Sequence, residues 1–182
     1  VPSLAQQLGC REEVLATVLR MVAGLGFFDS PEPGVYALTE RGHVLKRDQL
    51  GPLATFVGAP EQWDPWARLR DAACSGEVAF VRTFGHGLYD HVAADADAAA
   101  RYDAAIDAFT RHEAESLCRT FDFAGAREVI DVGGGHGTLL LEVLRRNGHL
   151  RGALFDLPHV AERALPRLRG ELGERVCTHG GD

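Results

Sequence analysis

The stretch from Glu128 to Gly137 has the sequence E-V-I-D-V-G-G-G-H-G, and it decides the fold of this chain. Val129, Ile130 and Val132 form a short apolar run of the kind that a buried parallel strand requires. The glycines that follow allow the backbone to turn tightly, and residues 138–146 then show the apolar spacing of a helix. A strand, a glycine turn and a helix in this order predict a site that cradles a nucleotide.

The spacing of the glycines indicates which nucleotide is bound. Gly133, Gly135 and Gly137 give G-x-G-x-G, whereas the dinucleotide fingerprint is G-x-G-x-x-G. Asp131 comes just before the glycines, where its charge would repel a pyrophosphate and attract an ammonium group. Both features favour S-adenosylmethionine over NAD. We therefore assign cofactor binding to Asp131, Gly133, Gly134, Gly135 and Gly137.

Two further strands are predicted, and each ends near an acid. Residues 151–156 (R-G-A-L-F-D) place Asp156 at the usual distance from the glycines for a carboxylate that accepts hydrogen bonds from ribose hydroxyls. Asp156 could instead cap the helix predicted after Leu157 and Pro158. Residues 175–178 form the third strand and lead to Asp182. Because parallel strands end at one edge of a sheet, the acids should form one site with Leu157 beside it.

The motifs D-V-G-G-G-H-G at 131–137 and F-D-L-P-H-V at 155–160 resemble the class I S-adenosylmethionine-dependent O-methyltransferases of small molecules. This family includes caffeate-like plant enzymes and bacterial antibiotic-tailoring enzymes. The resemblance implies an α/β fold, in which an α-rich winged-helix dimerisation domain precedes a Rossmann-like methyltransferase domain truncated after its third strand. It also implies a homodimer that methylates a phenolic or carboxylic hydroxyl of an aromatic small molecule. In the family, the acid matching Asp182 lies beside the adenine.

Residues 1–48 are predicted to form the winged-helix module. The pattern predicts a helix from a capping box at Ser3 and Gln6 to Gly9, a helix over 11–24, and strands over 26–28 and 35–38. Winged helices often bind DNA, but residues 1–50 hold five basic against six acidic residues, and the second helix opens with two glutamates. We therefore expect an oligomerisation module, as the resemblance implies.

Residues 49–120 are predicted to form a helical linker and part of a substrate pocket. The pattern predicts a connector over 50–60, a helix from the Asp64-Pro65 cap to Gly76, and a long helix over 97–119. Trp66 is expected in the core, and Trp63 either in the core or in the wall of an aromatic pocket. Asp103 and Ile106 match the Asn and Met of the family's F-N-x-x-M segment, which touch substrate or cofactor, although Asp103 could equally be a solvated helix residue.

Composition excludes several classes of partner. The 182-residue chain has 26 acidic and 19 basic residues, and its net charge of −7 disfavours nucleic acid and anionic membrane surfaces. No apolar run approaches the ~20 residues of a membrane helix. The four cysteines form no C-x-x-C pair, which predicts reduced, mostly buried thiols in a cytoplasm and no metal site. These features predict a cytoplasmic protein. Residues 121–182, which hold the two motifs, are the predicted first part of its cofactor-binding domain.

Catalysis requires a group that these residues do not supply. Methyl transfer to a hydroxyl is an in-line displacement with the reactants aligned at roughly 3–3.5 Å, and a base assists because a free phenol has a pKa of about 10. The resemblance implies a histidine in an H-D-W segment after the third strand, and none of the eight histidines matches it. We predict no catalytic residue in this chain and expect the base beyond Asp182, in the remainder of the methyltransferase domain, on the same polypeptide or a complementary chain.

Three functions remain open at this point. The first is O-methylation of a small molecule in bacterial secondary metabolism. The second is a relative that binds the same cofactor without methylating, such as a hydroxylase or decarboxylase. The third is a winged-helix regulator without enzymatic activity, which the acidity of residues 1–50 disfavours.

Overall fold

A computed structural model describes residues 1–181, and the sheet predicted around the glycine turn occupies its C-terminal third. Three parallel strands pair in the order β3-β4-β5: β3 (Glu128–Val132), β4 (Arg151–Asp156) and β5 (Val176–Gly180). The connecting elements are α9 (Thr138–Arg146), α10 (Pro158–Leu172) and a short 3₁₀ helix (Gly173–Arg175). This βαβαβ order confirms the three predicted strands and the helix over 138–146. Such a sheet binds ligands at the carboxyl ends of its strands.

The core of this region lies between the sheet and helices α9 and α10. Its most fully buried large side chains are Val143, Leu140, Leu144, Leu150, Leu154 and Leu168. Gly152 allows α9 to approach β4, because a Cβ atom there would lie 2.8 Å from Leu140 and 2.9 Å from Leu144. A side chain at position 152 of β4 would therefore prevent α9 from packing this closely against the strand.

Two helices and a two-stranded antiparallel sheet form the N-terminal segment. Their bounds are Pro2–Leu8 for α1, Glu12–Gly24 for α2, Phe28–Glu32 for β1 and Val35–Leu38 for β2, and a 3₁₀ helix follows at Arg41–Leu45. The predicted order of helix, helix, strand and strand is confirmed. That these elements constitute a winged helix remains a prediction.

Two details of this segment were predicted incorrectly. The capping box at Ser3 does not form, because Pro2, with its fixed φ, already occupies the first turn of α1 and Val1 is the cap residue. The first strand was expected over 26–28 but is Phe28–Glu32, since Pro33 and Gly34 make the turn at its end. Gly34 has a φ of +79°, a conformation that glycine adopts without steric cost.

Six helices follow. They are α3 (Gly51–Val57), α4 (Pro60–Ala67), α5 (Leu69–Ser75), α6 (Ala79–Phe84), α7 (Leu88–Ala94) and α8 (Ala96–Thr120). The connector expected over 50–60 is wrong, because residues 51–57 form a helix that packs against α8. Asp64 and Pro65 do not begin a helix either. They lie inside α4, which begins at Pro60 by the same preference of proline for a first turn. The predicted end at Gly76 is confirmed, with a φ of +75°.

The 25-residue helix α8 confirms the predicted long helix. Asp95 caps it by accepting hydrogen bonds from the amides of Asp97 and Ala98 at 2.8 and 3.0 Å. Its buried residues are all small: Ala98, Ala105, Ala108 and Ala114. Small side chains allow close helix packing, and α8 contacts both α3 and α9. α8 thus contacts both the helical region, at α3, and the cofactor-binding region, at α9.

Three expectations about burial are wrong. The apolar run of β3 was expected to be buried, but Ile130 and Val132 are 63% and 74% exposed, because no further strand or helix of the described residues covers them. Trp66 is 66% exposed and is not a core residue. The cysteines are free, but Cys10 and Cys74 are exposed and Cys118 and Cys177 are only partly buried.

Within residues 1–181, no helix combines the length and apolarity needed to cross a membrane. The same residues bring together no His, Cys, Asp and Glu cluster suited to a metal ion.

The packing at Gly152 leads to a first prediction. Gly152→Ala should lower the free energy of unfolding by about 1–3 kcal/mol, because the added methyl group collides with two buried leucines. Urea unfolding measures the change. Gly170→Ala is the matched control, since a Cβ at this exposed position of α10 meets nothing within 4 Å, and it should be neutral or stabilising. Equal stability of the Gly152 variant and the wild type would contradict the prediction.

Candidate cofactor site

The glycine turn joins the end of β3 to the start of α9. Gly133, Gly135 and Gly137 have φ values of +71°, +54° and +76°, which residues with side chains rarely adopt. Gly134 has an ordinary φ but no room for a side chain, because its Cβ would lie 2.7 Å from Asp131 Oδ2. All four glycines assigned to the cofactor are therefore required by the turn, three for backbone conformation and one for a close approach.

Asp131 is the least satisfied acid of the site. Its Oδ2 atom is buried and accepts no hydrogen bond from residues 1–181. Burial raises the pKa of this carboxyl above its usual value, and the negative charge of Asp156 raises it further. A buried acceptor without a donor is unfavourable unless a ligand completes it. The ammonium group of S-adenosylmethionine fits this requirement, because it offers both hydrogen-bond donors and positive charge.

Asp156 holds the turn from the end of β4. Its Oδ2 accepts a hydrogen bond from the amide of Gly135 at 2.8 Å, and its Oδ1 accepts one from the amide of Leu157 at 2.7 Å. The alternative of a helix cap is wrong, because neither bond goes to the first turn of α10 and its cap residue, Leu157, makes no side-chain cap bond. An ionised carboxylate accepts about four hydrogen bonds, so Asp156 retains acceptors for ribose hydroxyls.

The end of β5 closes against β4 next to this carboxylate. The amide of Gly181 donates to the carbonyl oxygen of Asp156 at 3.0 Å, and a Cβ at Gly181 would lie 2.6 Å from the ring of Phe155. Leu157 is 42% exposed beside these residues. Asp182, the third predicted acid, lies outside the described residues.

The three substrate candidates differ in position. On α8, Asp103 Oδ2 lies 3.9 Å from Nε2 of His136 in the glycine turn. Ile106 is 42% exposed on the same helix. Trp63 is 67% exposed on α4, so it is not a core residue, and its place in a pocket wall stays a prediction. A cavity of about 490 Å³ between α3 and α8 is lined by none of these candidates.

Sequence reasoning missed two residues, one that contacts the start of α9 and one that contacts the turn. Asp107 Oδ1 accepts a hydrogen bond from the hydroxyl of Thr138 at 2.5 Å. Arg167, on α10, donates to the carbonyl oxygen of His136 at 3.2 Å. The spacing of Asp103 and Asp107 on one helix face was a usable signal, whereas nothing in the sequence pairs Arg167 with position 136.

A parallel βαβαβ sheet with a glycine turn and two strand-end acids defines a class I methyltransferase type of cofactor-binding domain. Residues 66–182 match the family described as "O-methyltransferase domain", and the chain belongs to this family. The resemblance found in the sequence is thereby confirmed, as is an α/β methyltransferase fold with a parallel three-stranded sheet.

Relatives with assigned activities match almost the whole chain. The chain is 34% identical to phenazine O-methyltransferase PhzM of Lysobacter antibioticus, over 100% of this chain and 54% of that protein. It is 33% identical to the mitomycin biosynthesis 6-O-methyltransferase of Streptomyces lavendulae, over 99% of this chain and 53% of that protein. The chain therefore spans about half the length of these relatives.

A solved structure shows the same arrangement. The crystal structure of CalO1, a methyltransferase in calicheamicin biosynthesis in an S-adenosylhomocysteine-bound form, superposes with a TM-score of 0.83. The two chains are 30% identical, and the match covers 99% of this chain and 54% of CalO1.

The buried carboxyl of Asp131 leads to a second prediction. Its pKa is higher in the folded protein than in the unfolded chain, so its contribution to stability is fully present at low pH and is lost as the pH rises through the raised pKa. Asp131→Asn removes this titration. The stability of the variant relative to the wild type should therefore increase between about pH 4 and pH 7, as urea unfolding across that range measures.

The control for this experiment is Glu128→Gln, which removes an exposed carboxylate at the start of the same strand. A stability difference between Asp131→Asn and the wild type that does not change with pH would contradict the prediction.

Proposed function

We propose that this chain supplies the cofactor-binding part of an S-adenosylmethionine-dependent O-methyltransferase. Its substrate is a phenolic or carboxylic hydroxyl of an aromatic small molecule in bacterial secondary metabolism. The observation that carries the proposal is the buried Oδ2 of Asp131 beside the turn at Gly134, which has no hydrogen-bond partner within residues 1–181. Membership of the O-methyltransferase family and the bound ligand of CalO1 support S-adenosylmethionine as the cofactor.

Each residue of the site has a proposed part in binding. Asp131 accepts the ammonium group, and the backbone of residues 133–137 lies along the methionyl part, where no side chain intervenes. The N-terminus of α9 faces the carboxylate with its positive end. Asp156 and Leu157 contact the ribose, and Asp182 lies beside the adenine. The cofactor supplies an electrophilic methyl group, and these residues fix where that group is presented.

The remaining requirement is to place the acceptor hydroxyl in line with this methyl group. We propose that Asp103 and Ile106 contact the substrate, because Asp103 lies within 3.9 Å of the glycine turn and Ile106 is exposed on the same helix. Trp63 is the proposed aromatic wall. The general base is expected to be a histidine beyond Asp182. A relative that binds the cofactor without methylating remains the second candidate.

We also propose that residues 1–48 form the winged-helix dimerisation module, residues 49–120 the helical linker and pocket region, and residues 121–182 the first part of the cofactor domain. The proposed assembly is a cytoplasmic homodimer. An exposed apolar stripe at three-and-four spacing along α2 and its C-cap residue supports an interface there. It consists of Val14, Val18, Met21 and Leu25, whose side chains are 57, 45, 63 and 58% exposed.

The cofactor assignment is tested by calorimetry with S-adenosylhomocysteine. The wild type should bind it, and Asp156→Ala should bind about 10- to 100-fold more weakly, because hydrogen bonds to a charged group contribute about 1.5–3 kcal/mol. Glu162→Ala removes an exposed acid from α10 and is the matched control. Absence of binding by the wild type would refute both the O-methyltransferase and the non-methylating relative as functions. Methyl transfer to phenolic acceptors, tested with the complete protein that includes the expected base, separates the O-methyltransferase from a non-methylating relative.

The dimer is tested separately by sedimentation equilibrium. Val18→Asp combined with Met21→Asp places two charges in the stripe and should convert a dimer to a monomer, since burying unpaired charge is strongly unfavourable. Arg20→Asp introduces the same residue type off the stripe and is the control. A dimer that survives the double substitution would rule out this interface.

A further inference from the structure

A second restraint on the glycine turn, besides Asp156, comes from a group of three polar side chains. Thr138 is the first residue of α9, and it is only 4% exposed. Its hydroxyl donates to Asp107 Oδ1 at 2.5 Å and accepts a hydrogen bond from Arg167 Nη1 at 3.1 Å. One buried hydroxyl therefore connects α8, α9 and α10.

Arg167 also contacts the turn itself. Its Nη1 donates to the carbonyl oxygen of His136 at 3.2 Å and lies 4.0 Å from Asp107 Oδ1. Position 136 lies between Gly135 and Gly137, both of which have positive φ. Arg167 thus contacts the one residue of the turn at 133–137 that is not a glycine.

The charges explain why Asp107 belongs to the group. The N-terminus of α9 carries a partial positive charge from the helix dipole, so the cationic Arg167 is unfavourable there by itself. Asp107 supplies the compensating negative charge, and Thr138 relays the hydrogen bond between the two. Neither ion is deeply buried, with Asp107 28% and Arg167 40% exposed. Packing alone therefore gives no reason for this arrangement.

A glycine-rich turn needs such restraint because glycine loses more conformational freedom on ordering than any other residue. Asp156 restrains the amide of Gly135, while Arg167 restrains the carbonyl of the following residue, His136. A turn ordered before the ligand arrives binds more tightly, because the ligand then does not have to order it.

We propose that Asp107, Thr138 and Arg167 are positioning residues, here called the turn clamp, which preorganise the glycine turn for the cofactor and hold it in register with α8. The clamp rests on the proposed function, since it acts through the cofactor site. Asp103, one helical turn before Asp107, lies next to His136. The clamp thereby fixes the proposed substrate contacts of α8 relative to the cofactor.

The test combines ligand affinity with the mobility of the turn. Thr138→Val keeps the branched shape but removes the hydroxyl, and we expect about 10-fold weaker binding of S-adenosylhomocysteine by calorimetry. Hydrogen exchange of the amides at 133–137 should become faster in the ligand-free protein, while exchange of the β4 amides should not change. Thr138→Ser restores the hydroxyl and should restore both properties.

Two further variants guard against a failure to fold. Arg167→Gln alters a partly exposed residue of α10 and should reproduce the Thr138→Val phenotype. Arg163→Gln, at an exposed position one turn earlier, is its matched control. Combining Arg167→Gln with Thr138→Val should weaken binding by less than the product of the two single effects, because both act on one unit.

The outcomes separate the clamp from the proposed function. No binding of S-adenosylhomocysteine by the wild type refutes the proposed function. Binding by the wild type and equally by Thr138→Val and Arg167→Gln refutes the clamp alone. Weaker binding without faster exchange of the turn also refutes the clamp, because the side chains would then act on the ligand and not through the turn.

Discussion

A side chain at position 134 would collide with the carboxylate of Asp131, and the rest of the site depends on this close approach. A Cβ atom there would lie 2.7 Å from Asp131 Oδ2, so the second residue after β3 must be a glycine for the chain to pass beside this buried oxygen. The chain turns from β3 into α9 over the five residues 133–137, three of which have positive φ. Strand, acid, turn and helix are therefore a single geometric unit.

The two described acids of the site differ in what the protein already provides for them. Asp156 is hydrogen-bonded to two amides and stabilises the turn without a ligand. Asp131 lies in the same region with a buried oxygen that has no donor within residues 1–181, and burial raises its pKa. One carboxylate thus organises the site, and the other is left for the ligand to satisfy. A cation bound beside Asp131 would therefore stabilise the charged form of this buried carboxylate.

The sequence predicted most reliably those parts whose cause is local. Strands β3 to β5, α8 and α9 follow from apolar periodicity, and the glycines follow from backbone conformation. The errors at Ser3 and at Asp64 arose because Pro2 and Pro60 begin helices earlier than the polar caps suggested. The contact of Arg167 with position 136 spans 31 residues. No local pattern encodes such a pairing, since it depends on how α10 packs over the turn.

The same reasoning explains why α8 is more than a connector. Its buried face is made of alanines, so α3 and α9 pack close to its backbone and leave it little freedom to shift. On the same helix, Asp103 lies against the glycine turn and Asp107 against the start of α9. A displacement of α8 would therefore move the turn, and ordering of the turn by a cofactor would in turn restrain α8. Methyl transfer requires that the cofactor and the acceptor be aligned. The packing of α8 would contribute to this alignment, because α8 contacts the cofactor turn and carries the proposed substrate contacts.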